Sequence, residues 1–252
     1  MNHGSAPHDD VFRHEFFVRF GATLLFLVLT MPAFSQEVHW GVKGGTPVTD
    51  YFRTAGNSEL QRGYATKINR YTVGPTLEVD LPFRLGLEFG MLYKRQHFTG
   101  LAVSSTRGPM FPYDVYVNLK TTADSWEFPI LLKYSLSDRP TRPFVEWGAS
   151  LQYLSNVRQV RTTTRLRGPT FPTGPTFETT TTDKPEELER MFNVGFVIGT
   201  GVEFRVPPLR ISPEFRSTLW GFRNFRSFSF ATFNGLLESS QNQVEVLLGI
   251  SF

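Results

Sequence analysis

The ten residues Gln243 to Phe252, QVEVLLGISF, carry more architectural information than any other stretch of the chain. Val244, Val246, Leu248, Ile250 and Phe252 fall on one face of an extended strand. Gln243, Glu245, Leu247, Gly249 and Ser251 fall on the other, because successive strand side chains point to opposite sides. One apolar face and one mixed, small or charged face suit a wall between hydrocarbon and a polar interior.

Seven earlier segments repeat this alternation, and each has about the 9–11 residues a tilted strand needs to cross a bilayer. The eight segments are 37–44, 70–81, 83–95, 124–136, 142–154, 191–206, 208–219 and 242–252. In the fourth, Trp126, Phe128, Ile130, Leu132 and Tyr134 oppose Glu127 and Lys133. In the fifth, Val145, Trp147, Ala149, Leu151 and Tyr153 oppose Glu146, Gly148, Ser150 and Gln152. The connections alternate too. Those at Leu81-Pro82, at 137–141 and at Pro207-Pro208 are short, whereas 45–69, 96–123, 155–190 and 220–241 are long. Short periplasmic turns and long external loops are the build of bacterial outer-membrane barrels. A soluble sandwich would wet its polar face and would have little reason to place Glu or Arg on the minor face of nearly every strand. The expected fold is therefore all-β, a transmembrane antiparallel up-and-down barrel of about eight strands. A ten-stranded ring stays open if part of 155–190 forms a further hairpin.

Totals narrow the class further. The chain has no Cys, which removes disulfides and thiolate metal sites. Mean hydropathy is −0.20, and the one long apolar run lies near the N-terminus, which excludes a helical membrane bundle. That run, Phe20 to Met31, follows Arg13 and Arg19 and precedes Pro32-Ala33-Phe34-Ser35. This is the order of a secretory signal cut after Ser35. The expected division is a cleaved signal over 1–35 and a barrel over 36–252, with export to the outer membrane. The cut removes Arg13, Arg19, Asp9, Asp10 and Glu15, so the net charge rises only from +3 to +4. So mild a balance does not argue for nucleic acid.

The inward faces carry Lys43, Glu78, Arg84, Glu88, Lys94, Glu127, Lys133, Glu146, Glu203, Arg205, Arg210, Glu214, Arg216 and Glu245. Their signs nearly balance. An eight-stranded barrel is just wide enough for side chains to fill, and buried charges must be paired. The first expectation is a bore plugged by ion pairs; the alternative is a narrow channel or transporter for ions or small solutes. Inward glycines such as Gly199 either leave gaps for water or let long side chains lie flat.

Activity, if any, belongs to the loops. Arg107-Gly108-Pro109-Met110-Phe111-Pro112 recurs as Arg167-Gly168-Pro169-Thr170-Phe171-Pro172. It is either a shared stiff turn or a paired aromatic–Arg contact surface. Arg161, Arg165 and Arg167 share a strand face, and Arg binds phosphate bidentately. They suit lipopolysaccharide phosphates, or else a solvated hairpin edge guarded by charge. Phe222, Phe225, Phe228 and Phe230, with Phe233, mark a contact site or a lid over the mouth packing on Met110, Phe111 and Phe171. An enzyme is not expected. The mature chain has only His39 and His97, with no His-x-Ser spacing, and no Walker, dinucleotide or His-Glu metal motif occurs. No cofactor is called for.

His39-Trp40-Gly41-Val42-Lys43-Gly44-Gly45 resembles the opening strand of the PorT-like outer-membrane β-barrel family. Gly195, Gly199 and the run Gly201-Val202-Glu203-Phe204 resemble the same family, as does Leu248-Gly249-Ile250-Ser251-Phe252. A chain that stops on the aromatic of such a strand also resembles the sorting signal of bacterial outer-membrane barrels. The likeness spans most of 38–252. It implies an integral outer-membrane protein of a Gram-negative cell, inserted by the outer-membrane assembly machinery. The expected role is structural or binding, with loops touching lipopolysaccharide or a protein partner.

Overall fold

A computed structural model describes residues 37–54, 64–68, 70–106, 113–167, 176–185, 187–226 and 237–252. The expected signal over 1–35 lies outside them. The strands are β1 (Val38–Pro47), β2 (Phe52–Thr54), β3 (Tyr64–Ile68), β4 (Tyr71–Leu81), β5 (Leu85–Gly90), β6 (Leu92–Thr106), β7 (Tyr113–Ser135), β8 (Thr141–Arg167), β9 (Thr176–Thr182), β10 (Phe192–Val206), β11 (Leu209–Trp220), β12 (Leu237–Ser239) and β13 (Asn242–Ser251). All pairings are antiparallel.

Eight spanning strands close a ring in the order β1, β4, β5 with β6, β7, β8, β10, β11, β13 and back to β1. Closure leaves the eight spanning strands without a free edge at membrane level, the condition for lying in lipid. β13 completes it. Its Val42↔Ile250 register sets the apolar Val42 and Ile250 side by side, 52% and 44% exposed, while Lys43 and Gly249 point inward.

The third spanning strand is broken at Met91, between β5 and β6. The registers on either side of the break continue without a shift. The break has a chemical cause: Pro75 on β4 stands level with Met91, and Pro129 on β7 stands level with Gly90. Neither proline has an N–H to give the ladder. Met91 N–H still donates to Pro75 O at 3.0 Å. Gly90 is required there, since a Cβ would lie 2.8 Å from Pro129 Cγ.

Two features depart from the sequence reading. The segments expected to be loops at 96–123 and 155–190 are largely strand, because β6, β7 and β8 run on past the ring as a raised sheet. Val115, Val117 and Leu119 continue the inward face of β7 and are buried. β9 pairs with the upper half of β8, from Gln159↔Thr182 to Arg165↔Thr176. The extra strand thus sits above the ring, which stays at eight. The turn from β4 to β5 is Pro82-Phe83-Arg84. Phe83 and Arg84 both take positive φ, 64° and 63°, with Leu85 N–H donating to Pro82 O at 3.4 Å. That twist matches a hairpin but normally selects Asn and Gly.

Candidate functional site

Charged side chains of the inward faces meet in the bore. At the periplasmic end Asp80 accepts from Arg210 at 3.3 Å and lies 3.8 Å from Arg205 and 3.4 Å from His39. Arg205 holds Glu203 at 2.8 Å. Lys133 on β7 reaches Glu203 on β10 at 3.1 Å and Glu78 on β4 at 3.0 Å. Higher up, Lys43 joins Glu88 at 2.6 Å and Glu214 at 2.5 Å. Arg216 joins Glu146 at 3.0 Å, Glu214 at 3.3 Å and Glu88 at 3.4 Å. Above these, Lys94 pairs with Glu127 and, at 2.7 Å, with Glu245. Glu245 also accepts from Thr72 at 3.0 Å and Gln243 at 3.3 Å.

Lys43, Glu88, Lys94, Glu127, Lys133, Glu146, Glu203, Glu214, Arg216 and Glu245 are all buried. Charges taken out of water are tolerated only when paired, and each of these has an opposite charge within 4 Å, while Glu127 Oε1, Glu146 Oε2 and Arg216 Nη1 remain without a hydrogen bond. Glycine gives the long side chains room. A Cβ on Gly199 would lie 2.5 Å from Glu146 Oε1 and 2.9 Å from its Cγ, so Glu146 lies flat across the β10 backbone. Glu88, Glu146 and Glu214 bring carboxylate oxygens within 4.8 Å of one another, close enough for a cation. Lys43 and Arg216 already supply positive charge at that point. Arg84 stands apart from the set: it lies in the β4–β5 turn and pairs with Asp138 at 2.5 Å. Asp80 and His39 were not singled out from the sequence as network members. Asp80 shares the strand parity of Glu78, which was the available signal.

An apolar layer lies at the extracellular end of the bore. Phe98 (β6), Ala123 (β7), Leu154 and Val157 (β8) point inward and pack with Tyr51 and Phe225, and Leu188 packs on the group. Phe225 comes from the fourth long loop and has no exposed surface. Its segment is strapped on both sides. Arg226 N–H donates to Glu187 O at 2.9 Å, and Ser239 N–H donates to Phe225 O at 3.1 Å. Asn193 Nδ2 donates to Asn224 Oδ1 at 2.7 Å and to Phe222 O at 2.8 Å. Burial pushes the Tyr51 phenol well above the usual tyrosine range. Phe225 therefore packs inward over the bore in this cluster; the partners expected from the sequence are Met110, Phe111 and Phe171. Those three lie outside the described residues.

The remaining loop candidates separate. Arg107, Phe228, Phe230 and Phe233 also lie outside the described residues, and Arg167 ends β8 with its side chain undescribed. Arg161 is half-buried, while Arg165 is exposed and 4.0 Å from Glu178 of β9. Phe222 is 46% exposed, with the Arg190 guanidinium 4.3 Å over its ring. Of the two histidines, His97 Nδ1 lies 2.9 Å from Thr122 Oγ1, and His39 lies at the opposite end of the barrel.

The outward face has its own order. Tyr93, Trp126, Tyr153 and Phe192 are partners in successive registers across β6, β7, β8 and β10. Tyr71 adjoins at the β4 end, its ring 6.1 Å from that of Tyr93. Ring centroids are 5.3 Å apart for Tyr93–Trp126 and 4.7 Å for Tyr153–Phe192. Such a girdle marks a membrane–water boundary. On β7 the outward residues from Trp126 to Tyr134 cover about 26 Å of strand at 3.3 Å per residue, about the height of a barrel's apolar band before tilt.

The family model for the outer membrane protein beta-barrel domain matches residues 34–227. The chain belongs to that family, and outer-membrane localisation follows. No curated protein matches. Among solved structures, Neisserial surface protein A, NspA, is similar at a TM-score of 0.36 and 10% identity, covering 86% of this chain and 98% of that one. Ail, the attachment invasion locus protein of Yersinia pestis, is similar at a TM-score of 0.33 and 9% identity, covering 86% and 95%. A complex of Ail with the heparin analogue sucrose octasulfate is similar at a TM-score of 0.32 and 9% identity, with the same coverage.

Proposed function

We propose that this protein is a non-conducting, non-catalytic outer-membrane scaffold whose extracellular surface contacts lipopolysaccharide or a protein partner. The observation that carries the reading is the set of ion pairs and apolar side chains that meet inside the bore. Three groups of ion pairs succeed one another along the bore from Asp80 to Glu245, half-buried at the Asp80 end and buried above it, and the Phe225 layer lies beyond them. A pore for ions needs mobile water and weak, multiple binding positions; ion pairs spanning the bore offer neither. The contact role rests on exposed cations above the girdle, among them Arg158, Arg165, Arg190 and Arg226. Arg suits phosphate through its paired N–H donors. Export by a signal cut after Ser35, insertion by the assembly machinery and a PorT-like lineage complete the reading.

Planar-bilayer recording on the refolded 36–252 barrel tests the closure. A silent, folded barrel supports it, whereas discrete conductance steps would make the protein a narrow channel. For the contact role, an Arg161→Ala/Arg165→Ala variant is expected to bind lipopolysaccharide more weakly, with the difference shrinking as salt rises. Equal binding at low salt sinks that half of the proposal.

A further inference from the structure

A groove lies in the outer wall below the Phe192 end of the aromatic girdle. The Leu151↔Val194 row continues onto β11 at Gly221, whose N–H donates to Val194 O at 2.8 Å. Gly221 offers no side chain on this row, one outward position below the girdle's Tyr153↔Phe192 row. Here β11 ends at Trp220 while β8 climbs on to Arg167, so the wall steps down. A groove of about 790 Å³ opens at the step. Its floor is Ala149, Val194, Phe196 and Leu219, and its upper rim carries Arg223 and Gln241. The three larger floor residues are outward-facing and 49%, 54% and 56% exposed. Ala149 is the small residue of its row, registered with Phe196, which is registered in turn with Leu219. The shallow spot is therefore built by one alanine between larger neighbours.

We infer that this groove is a binding site for a single phosphate-bearing lipid of the outer leaflet, an acyl chain on the apolar floor and the phosphate at Arg223. The occupant follows from the polarity of the site. The floor lies within the lipid-facing band, below the level of Tyr153 and Phe192, so hydrocarbon covers it. The rim lies at headgroup height and presents a guanidinium and an amide, which suit phosphate and its polar neighbours. A peptide would find no free strand edge at this place, because β10, β11 and β13 are paired on both sides. The site rests on the proposed lipopolysaccharide contact but moves it from the upper part of β8 to the lower wall formed by β8, β10 and β11.

The test uses the refolded 36–252 barrel in detergent, incubated with bisphosphorylated lipid A, and counts lipid retained per protein after gel filtration. The wild type is expected to retain one. Ala149→Trp fills the floor and Arg223→Gln removes the cation; each is expected to weaken retention about tenfold, the size of one lost phosphate contact or one blocked apolar seat. Leu219→Trp is the second filling variant should Ala149→Trp fold poorly. Phosphatidylcholine, with its compensated headgroup, is expected not to compete. Retention in both tryptophan variants equal to wild type overturns the site, and so does equal competition by phosphatidylcholine. Loss confined to Arg161→Ala/Arg165→Ala overturns the groove and keeps the loop contact. Loss confined to the groove variants does the reverse.

Discussion

Arg216 on β11 reaches Glu88 on β5 at 3.4 Å, although the two strands lie four apart whichever way round the ring is counted. The pair crosses the full bore. Arg216 also holds Glu146 and Glu214, so it neutralises three carboxylates, two of which it shares with Lys43. Removing one partner of a buried ion pair leaves an uncompensated charge and costs about 3–5 kcal/mol. Arg216→Met is expected to lower unfolding stability in urea by that amount. An Arg216→Met/Glu88→Gln/Glu146→Gln variant, with the charge removed in step, is expected to recover most of it. A single variant as stable as the wild type would mean that the cluster contributes nothing to folding.

Phe225 links the fourth loop to the barrel wall through Leu154, Val157 and Phe98. Truncating a buried Phe to Ala costs about 3–5 kcal/mol in a well-packed core. Because the layer sits above the ring, the cost falls on local opening. Phe225→Ala is expected to leave the barrel's unfolding midpoint nearly unchanged while limited proteolysis within 220–241 speeds up by at least about tenfold.

Tyr51 belongs to the same layer, and its phenol resists ionisation because it is buried. A phenol whose folded pKa is raised stabilises the layer fully below the ordinary tyrosine value of about 10 and less as pH climbs above it. Proteolysis of 220–241 is expected to accelerate above about pH 10 in the wild type and to do so less in Tyr51→Phe. Identical pH profiles would remove Tyr51 from the account.

Phe83 and Arg84 hold a turn conformation that costs an L residue about 1–2 kcal/mol each. Phe83 is 89% exposed and has no packing to lose. Phe83→Asn with Arg84→Gly is expected to raise stability by about 1–2 kcal/mol net of the Arg84–Asp138 contact, an exposed pair of small value. Urea unfolding of the double variant checks this, and a fall in stability would show that the turn carries a constraint beyond its backbone.

The spanning strands were readable because lipid keeps the outward face apolar: Trp126, Phe128, Ile130, Leu132 and Tyr134 face out and Glu127 and Lys133 face in, although the apolar Pro129 and Leu131 share the inward face. The same parity placed Glu88 and Arg216 inside. It could not show that they touch, since that depends on ring closure and on registers set by residues more than a hundred positions apart. The raised sheet was hidden for a related reason. Val115, Val117 and Leu119 do alternate, but β7 keeps them only through pairing with β6 and β8, and the turn-rich hexapeptides at 107–112 and 167–172 read as loop. Phe225 and Phe222 look alike in sequence. Only the straps from Asn193, Glu187 and Ser239 send one into the layer and leave the other half-exposed.

β8 rises past Tyr153 for about 14 residues, or some 45 Å of strand, whereas β11 stops at Trp220, where the girdle ends. The barrel thus has a front and a back. A neighbour drifting toward the β7–β8 side meets a standing sheet before it meets the membrane-level wall. One approaching β11 and β13 meets two strands that, among the described residues, end near lipid level. Crowding in the membrane would then sort the molecule by heading as well as by distance, so that two copies side by side are not equivalent under rotation about the membrane normal.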